Sequence, residues 1–160
     1  AEKAREAGEC MGEALPELRD IMHKIKETYD VSKENVGVGS TIFAVKPGDG
    51  SAREQAASCQ KVLGGWANIA NEYATKRYRS NLINWGMLPF IIDKGELPFT
   101  NGDYIFIPKI ADAVKNKATS MNAYVVNKDM KEFELKMDEL TDDEREIILD
   151  GCLINYYRNH

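Results

Sequence analysis

The chain has little cysteine, histidine and proline, and it has no long apolar run. Its 160 residues include three cysteines, two histidines and five prolines. The longest apolar runs are short, such as Phe90-Ile91-Ile92, whereas a membrane-spanning helix needs about 20 apolar residues and a secretory signal needs a hydrophobic region of its own. These absences predict a soluble protein.

The cysteines give a second exclusion. Cys10, Cys59 and Cys152 are odd in number and widely spaced, which favours reduced thiols in the cytoplasm over a disulfide framework. No Cys-x-x-Cys or His-Glu-x-x-His spacing is present. We therefore expect this chain to hold no metal ion.

Positive charge is also scarce, with 21 basic residues against 26 acidic ones and a net charge of −5. A protein that binds nucleic acid without sequence preference normally carries a basic field to neutralise phosphates. The exception is a basic cluster at Lys76, Arg77 and Arg79. On one helix of an acidic chain, this cluster is more typical of a solvated face or a docking surface for another domain than of an RNA site.

Apolar periodicity predicts alternating helices and strands. Leu18, Ile21 and Ile25 recur at helical spacing, which predicts an amphipathic helix that ends before Val31. Further helices are predicted at 51–63, 73–85 and 141–156, and strands at 41–45, 66–70, 87–92, 104–107, 121–126 and 133–137. The first strand is predicted to be buried. The third strand contains Pro89, which predicts that the strand lies at a sheet edge or that Pro89 lies at a strand end.

The order strand, helix, strand, helix, strand favours parallel pairing with helical crossovers. The alternating pattern of the later strands instead indicates half-exposed strands. We expect an α/β fold in one domain over residues 1–160, with a mixed, barrel-like sheet flanked by helices. Thr141 and Glu144 predict a capping box for the last helix, within which Cys152 is predicted to be a core thiol.

The stretch Pro47-Gly-Asp-Gly-Ser-Ala-Arg-Glu54 admits two interpretations. In the structural one, Ser51 caps a helix and pairs with Glu54 in a capping box. In the functional one, Gly48 and Gly50 let a ligand approach the backbone, and the first amides of the helix attract an anion. Arg53 adds a bidentate donor that matches a carboxylate or a phosphate.

Ser51 could lose its proton at such a helix start, because the amides, the helix dipole and the arginine all stabilise negative charge. It could then act as a base or a nucleophile. The stretch lacks the Gly-x-Ser-x-Gly elbow of a hydrolase and the lysine of a phosphate-binding loop. Both interpretations of Ser51 therefore stay open on the residues alone.

Several motifs in order resemble the swivel domain of the aconitase family. They are Gly50-Ser-Ala-Arg-Glu-Gln-Ala-Ala57, Leu63-Gly-Gly65, Ala67-Asn-Ile-Ala70 and Gly86-Met-Leu-Pro89, with a similar closing segment at 140–159. The resemblance implies a swivelling β/β/α domain of a hydro-lyase that dehydrates and rehydrates a hydroxy di- or tricarboxylic acid. It implies that Ser51 is the catalytic base and that Arg53 grips a substrate carboxylate beside Gly50 and Ala52.

The same resemblance implies a four-iron four-sulfur cluster, held by cysteines of other domains or of a partner subunit, which acts as a Lewis acid on the departing hydroxyl. This chain would then be inactive alone. It would be the C-terminal part of a longer hydratase, with about residues 1–30 as a helical extension. A free small subunit like that of isopropylmalate isomerase is the alternative.

Two positions depart from the family pattern. Ala52 stands where the family has a second serine, and Gln55 stands where it has a histidine. These changes leave open a non-catalytic module that binds a carboxylate or RNA.

Overall fold

The computed structural model describes residues 16–29, 31 and 35–160. Cys10 and most of the predicted helical extension lie outside the described residues. Within the described part of the chain, no helix is both long and apolar enough to cross a membrane.

The chain forms two compact units. The first comprises the described residues of Ala1–Val38, with Glu96–Pro108 and Asn122–Phe133; the second comprises Gly39–Gly95, Lys109–Met121 and Glu134–His160. The helices are α1 (Glu17–Tyr29), α2 (Arg53–Val62), α3 (Lys76–Asn84), α4 (Ile110–Lys115), α5 (Asp142–Asp150) and α6 (Leu153–Asn159). The strands are β1 (Ser40–Ala44), β2 (Gly65–Ala70), β3 (Leu88–Ile91), β4 (Ile105–Phe106), β5 (Ser120–Val125) and β6 (Lys131–Lys136).

The first unit is built on the amphipathic helix α1, which confirms the predicted periodicity. Ile21 and Ile25 are buried against Phe106 of β4 and Val126. Tyr29 packs its ring against Phe106, with the ring centroids 5.1 Å apart. Strand β4 pairs antiparallel with β5, and the strand order in this unit is β6-β5-β4.

Asp103 ties together the polar part of the first unit. One carboxylate oxygen accepts hydrogen bonds from the Thr100 amide at 2.7 Å and from Lys128 Nζ at 2.7 Å. The other accepts one from Asn127 Nδ2 at 2.9 Å, and Asn127 Oδ1 accepts the Tyr104 amide. The Lys128 contact, followed by those from Thr100 and Asn127, holds the pKa of Asp103 well below its ordinary value.

The second unit is built on parallel strands, as predicted. Strand β1 pairs with β2 and β2 with β3, both parallel, with α2 and α3 as the crossovers. Strand β6 adds an antiparallel neighbour to β3 through Ile91 and Lys136. The order in this unit is β1-β2-β3-β6, which makes the sheet mixed.

The prediction that strand β1 is buried is wrong, because β1 lies at the sheet edge and Ile42 remains 44% exposed. For strand β3, the edge alternative is wrong and the strand-end alternative is correct, since Pro89 is the second residue of β3. Pro89 is fully buried. The ladder between β3 and β6 is the single pair Ile91 and Lys136, so Pro89 faces no residue of β6 that needs its missing amide hydrogen.

The helices also differ from the predictions at particular residues. Helix α3 begins at Lys76 rather than at Tyr73, because the Thr75 hydroxyl caps it by accepting the Tyr78 amide. The short helix α4 was not predicted, since it buries only Val114 and therefore shows no apolar stripe.

The predicted C-terminal helix is two helices. The capping box of Thr141 and Glu144 is confirmed. Gly151, with a φ of 91°, ends α5, and Cys152 is half-buried between α5 and α6 rather than in the core. Gly86 lies against the backbone of Gly151, so that a Cβ at Gly86 would collide with the Gly151 carbonyl.

Replacing Asp103 should remove a pH-dependent source of stability. The pKa of Asp103 is lower in the folded state than in the unfolded state, where it is about 4. Asp103 therefore stabilises the fold at pH values above about 4. This contribution is lost as the pH falls through and below about 4. Asp103→Asn should lower the urea midpoint at pH 7 and flatten its decline toward pH 3. The exposed Asp129→Asn is the control, and equal midpoints for both variants would contradict the assignment.

Candidate functional site

The candidate site lies at one edge of the second unit, where the three parallel strands end. Ala44 of β1 is in register with Ala70 of β2, which is in register with Ile91 of β3. The carboxyl ends of all three strands therefore meet, and in open parallel sheets this edge is where ligands bind. The stretch that contains Ser51 and Arg53 follows β1 at this edge.

The loop after β1 is bonded to the loop after β2. The Val45 carbonyl accepts the Glu72 amide at 3.1 Å, and the Pro47 carbonyl accepts the Ala74 amide at 2.9 Å. Lys46 Nζ lies 2.6 Å from Glu72 Oε1, and this contact raises the pKa of Lys46 and lowers that of Glu72. Main-chain and ionic contacts thus hold the start of the candidate site against the sheet.

Gly48 has a different role from the one predicted. A Cβ on Gly48 would lie 2.5 Å from Tyr78 Cβ, and its φ of 96° also favours glycine. The space at Gly48 is therefore occupied by Tyr78 and not left for a ligand. At Gly50, in contrast, an added Cβ would have no heavy atom within 4 Å. The space beside Gly50 is therefore open, as the ligand-approach interpretation requires.

The predicted capping box at Ser51 and Glu54 is wrong. Ala52 is the N-cap residue of α2, and no side chain caps this helix. Glu54 instead accepts a hydrogen bond from Trp85 Nε1 at 2.7 Å. A side chain bound to Trp85 in this way does not complete a capping box with Ser51.

The missing cap changes what the helix start can bind. The first amides of an α-helix have no partner within the helix, and in the described part of the chain no side chain accepts a hydrogen bond from those of α2. Gly50, Ser51 and Ala52 are all exposed beside these amides. An anion at this point would meet unpaired donors and the positive end of the α2 dipole.

Arg53 is held by the loop that precedes it. Its Nε donates to the Gly48 carbonyl at 3.0 Å, and the side chain is half-buried. Of the residues described, none accepts a hydrogen bond from its two terminal nitrogens. The sequence offered no signal for this contact, because a backbone acceptor carries no side-chain signature.

Neither histidine partners Ser51. His23 Nδ1 lies 3.3 Å from Glu27 Oε1 on α1, and His160 contacts the Tyr156 carbonyl and the acidic residues Glu146 and Asp150. Within the described chain, Ser51 has no hydrogen-bonded base. The arrangement therefore differs from the nucleophile of a serine hydrolase, whose hydroxyl bonds to a histidine.

The basic cluster of α3 is not one solvated face. Lys76 and Arg77 are exposed, but the Arg79 side chain is only 14% exposed. Arg79 Nη1 lies 3.3 Å from Glu144 Oε1, and Nη2 donates to the carbonyls of Asp138 and Glu139. Arg79 is thus engaged in binding α3 to the start of α5.

A groove of about 460 Å³ lies beside the end of β3 but does not include the candidate residues. Its lining residues are Ile91, Thr119, Ser120, Lys136, Met137, Asp138 and Glu139. Neither Ser51, which is exposed, nor the half-buried Arg53 lines this groove.

The described residues do not fit an iron–sulfur cluster or another metal centre. No group of three or more His, Cys, Asp or Glu side chains could hold a metal ion within the described ranges. Cys59 is exposed and Cys152 is half-buried, and both are free thiols.

Comparisons with known proteins identify the family of this chain. A sequence model described as the aconitase C-terminal domain matches residues 17–95. The crystal structure of a 3-isopropylmalate dehydratase (leuD) from Methanocaldococcus jannaschii is 32% identical, with a TM-score of 0.56, over 86% of this chain and 72% of that one. The chain belongs to the aconitase family.

Membership in the aconitase family confirms the resemblance and the expected fold, an α/β swivel domain with a mixed, barrel-like sheet flanked by helices. The curated aconitate hydratase A of Rickettsia bellii (strain RML369-C) is 28% identical over 91% of this chain, but only 17% of that protein is matched. The chain thus spans less than a fifth of the length of this relative.

The absence of a cap at Ser51 gives a stability prediction. Ser51→Ala should change the free energy of unfolding by less than about 0.5 kcal/mol, because no helix cap is lost. Thr141→Ala should lower it by about 1 kcal/mol, because Thr141 is the N-cap of α5. Urea denaturation of both variants measures the difference, and an equal loss from Ser51→Ala would restore the capping interpretation.

Proposed function

We propose that this chain is the swivel domain of an aconitase-like hydro-lyase, in which Ser51 is the catalytic base and Arg53 binds a substrate carboxylate. The observation that carries the proposal is the uncapped start of α2, where an exposed serine lies beside unpaired amides and a half-buried arginine. The substrate class is a hydroxy di- or tricarboxylic acid. Gly50 and Ala52 would contribute backbone at the same place.

The dehydration step needs a base at this position. A proton leaves the carbon next to a carboxylate and is taken by the Ser51 oxygen, while the hydroxyl on the adjacent carbon departs and a double bond forms. The amides of α2 and its dipole stabilise the negative charge that Ser51 must carry before it takes the proton. Rehydration returns the same proton from Ser51 to carbon.

Arg53 would fix the carboxylate next to the reacting carbon. Its two terminal nitrogens form a fork that matches both oxygens of a carboxylate. The bond from Nε to the Gly48 carbonyl leaves this fork available. A clamp of this kind places the reacting carbon near Ser51, which is the positioning that proton transfer requires.

The iron–sulfur cluster belongs, in this proposal, to other domains or to a partner subunit, since the described residues do not fit one. The similarity to the 3-isopropylmalate dehydratase (leuD), whose chain is matched over 72% of its length, favours a free small subunit as a second form of the same proposal. Co-purification tests this directly. A separate cluster-bearing protein would indicate a subunit, and a single long polypeptide would indicate a domain.

Ser51→Ala in the complete enzyme should lower kcat by about 10²–10⁴-fold with a modest change in KM, because the proton-transfer group is lost. Steady-state rates of formation of the unsaturated acid measure this. Ser58→Ala is the matched control, since Ser58 lies on the same helix and only bonds to the Gln55 carbonyl. An unchanged kcat for Ser51→Ala would refute the catalytic role.

Arg53→Lys should raise KM by about 10- to 100-fold and affect kcat less, because an ammonium cannot make the bidentate contact. The exposed Arg158→Lys is the matched control, for which KM should not change. A KM equal to that of the parent enzyme in Arg53→Lys would mean that Arg53 does not bind substrate.

Steep salt dependence of RNA binding that requires Lys76 and Arg77 would favour the RNA-binding module instead.

A further inference from the structure

Among the described residues, one main-chain carbonyl accepts a hydrogen bond from the Arg53 side chain, and the orientation of Arg53 depends on it. An arginine side chain has several rotatable bonds, and its carboxylate-binding fork is useful only if those bonds are held. Here the Arg53 Nε bond to the Gly48 carbonyl, at 3.0 Å, is the contact that holds them. The direction of this carbonyl therefore decides where the fork points.

The Gly48 carbonyl also accepts a hydrogen bond from the Thr75 hydroxyl at 3.4 Å, and the chain around it is held from two further sides. Immediately before it, the Pro47 carbonyl accepts the Ala74 amide at 2.9 Å. Behind it, Tyr78 fills the space that a Cβ on Gly48 would need, with Tyr78 Cγ only 2.6 Å from that position. Tyr78 prevents the loop after β1 from moving toward α3. The hydrogen bond between the Pro47 carbonyl and the Ala74 amide opposes movement of this loop away from Tyr78.

Tyr78 is a rigid support for this loop. Its side chain is 2% exposed, and its hydroxyl accepts hydrogen bonds from Gln60 Nε2 and Asn68 Nδ2, both at 3.0 Å. These partners lie on α2 and β2, outside the loop after β1 that contains Gly48. The support therefore rests on the interior of the unit and not on the exposed loop.

We infer that the Gly48 carbonyl is a positioning group that orients Arg53 toward its ligand. Residue 48 must be glycine because Tyr78 occupies the space that a Cβ would need. The inference rests on the proposed function of Arg53 as a carboxylate clamp. It assigns to Gly48 an effect on substrate affinity that operates through Arg53 and involves no contact with substrate.

The first test needs no variant and no activity. Exchange of the Arg53 Nε proton with water, measured by NMR in the 160-residue chain, should be clearly slower than exchange of the Nε protons of the exposed Arg77 and Arg158. Equal exchange rates would overturn the inference, whatever the enzyme does. This result is independent of whether Arg53 binds substrate.

The second test uses Gly48→Ala in the complete enzyme. The expected result is an increase in KM of about 10-fold or more, because a clamp displaced by a fraction of an ångström loses its ligand geometry. Gly64→Ala is the matched control, since Gly64 has a similar φ of 86° but no heavy atom within 4 Å of a built Cβ. It carries the same backbone strain without the Tyr78 collision, and its KM should equal that of the parent.

The double variant separates positioning from general damage. If Gly48 acts through Arg53, Gly48→Ala should add no further increase in KM to Arg53→Lys. Additive increases would overturn the inference. If Arg53→Lys alone leaves KM unchanged, the proposed function fails, and slow Nε exchange would still confirm the contact. Should Gly48→Ala fail to fold, the exchange measurement decides alone.

Discussion

The packing of Tyr78 on Gly48 is the contact on which the arrangement of the second unit depends. The ring occupies the space of a missing side chain, and the hydroxyl is bonded to Gln60 on α2 and Asn68 on β2. One buried residue of α3 therefore joins a loop, a helix and a strand. Because protein interiors are close-packed, such a junction transmits displacement rather than absorbing it. The position of the loop after β1 follows from it.

The helix start at Ser51 lacks the side-chain cap that α3 and α5 have, as do the starts of the short helices α4 and α6. Helix α3 is capped by Thr75 and α5 by Thr141 with Glu144, whereas α2 has no side-chain cap. Functional sites often break a local rule that the rest of the fold obeys. Unpaired amides are unfavourable in an isolated helix but useful where an anion must bind. In the proposed function, the same feature that weakens α2 lets its first turn bind a carboxylate.

Elements with a strong pattern could be predicted from the sequence, and contacts between distant residues could not. The apolar spacing of α1, the parallel crossovers and the Thr141 capping box are local patterns, and all were correct. The capping box at Ser51 and Glu54 had the same local signature but was wrong, because Trp85 competes for the Glu54 carboxylate. The predicted burial of β1 was also wrong, and of the two alternatives for Pro89 the edge strand was wrong and the strand end correct, since strand order is decided by packing across the whole sheet. For the site, the sequence identified the candidate residues but not the Gly48 carbonyl.

The stretch recognised as an aconitase C-terminal domain, residues 17–95, is not a self-contained piece of the fold. It includes α1 of the first unit and only part of the second, which is completed by Lys109–Met121 and Glu134–His160. Gly86 inside the stretch lies against the Gly151 backbone outside it. A polypeptide cut after residue 95 would therefore expose this contact to water and remove β6, one of the two neighbours of β3. The limit of the family-model match and the limit of the folding unit are different places in this chain.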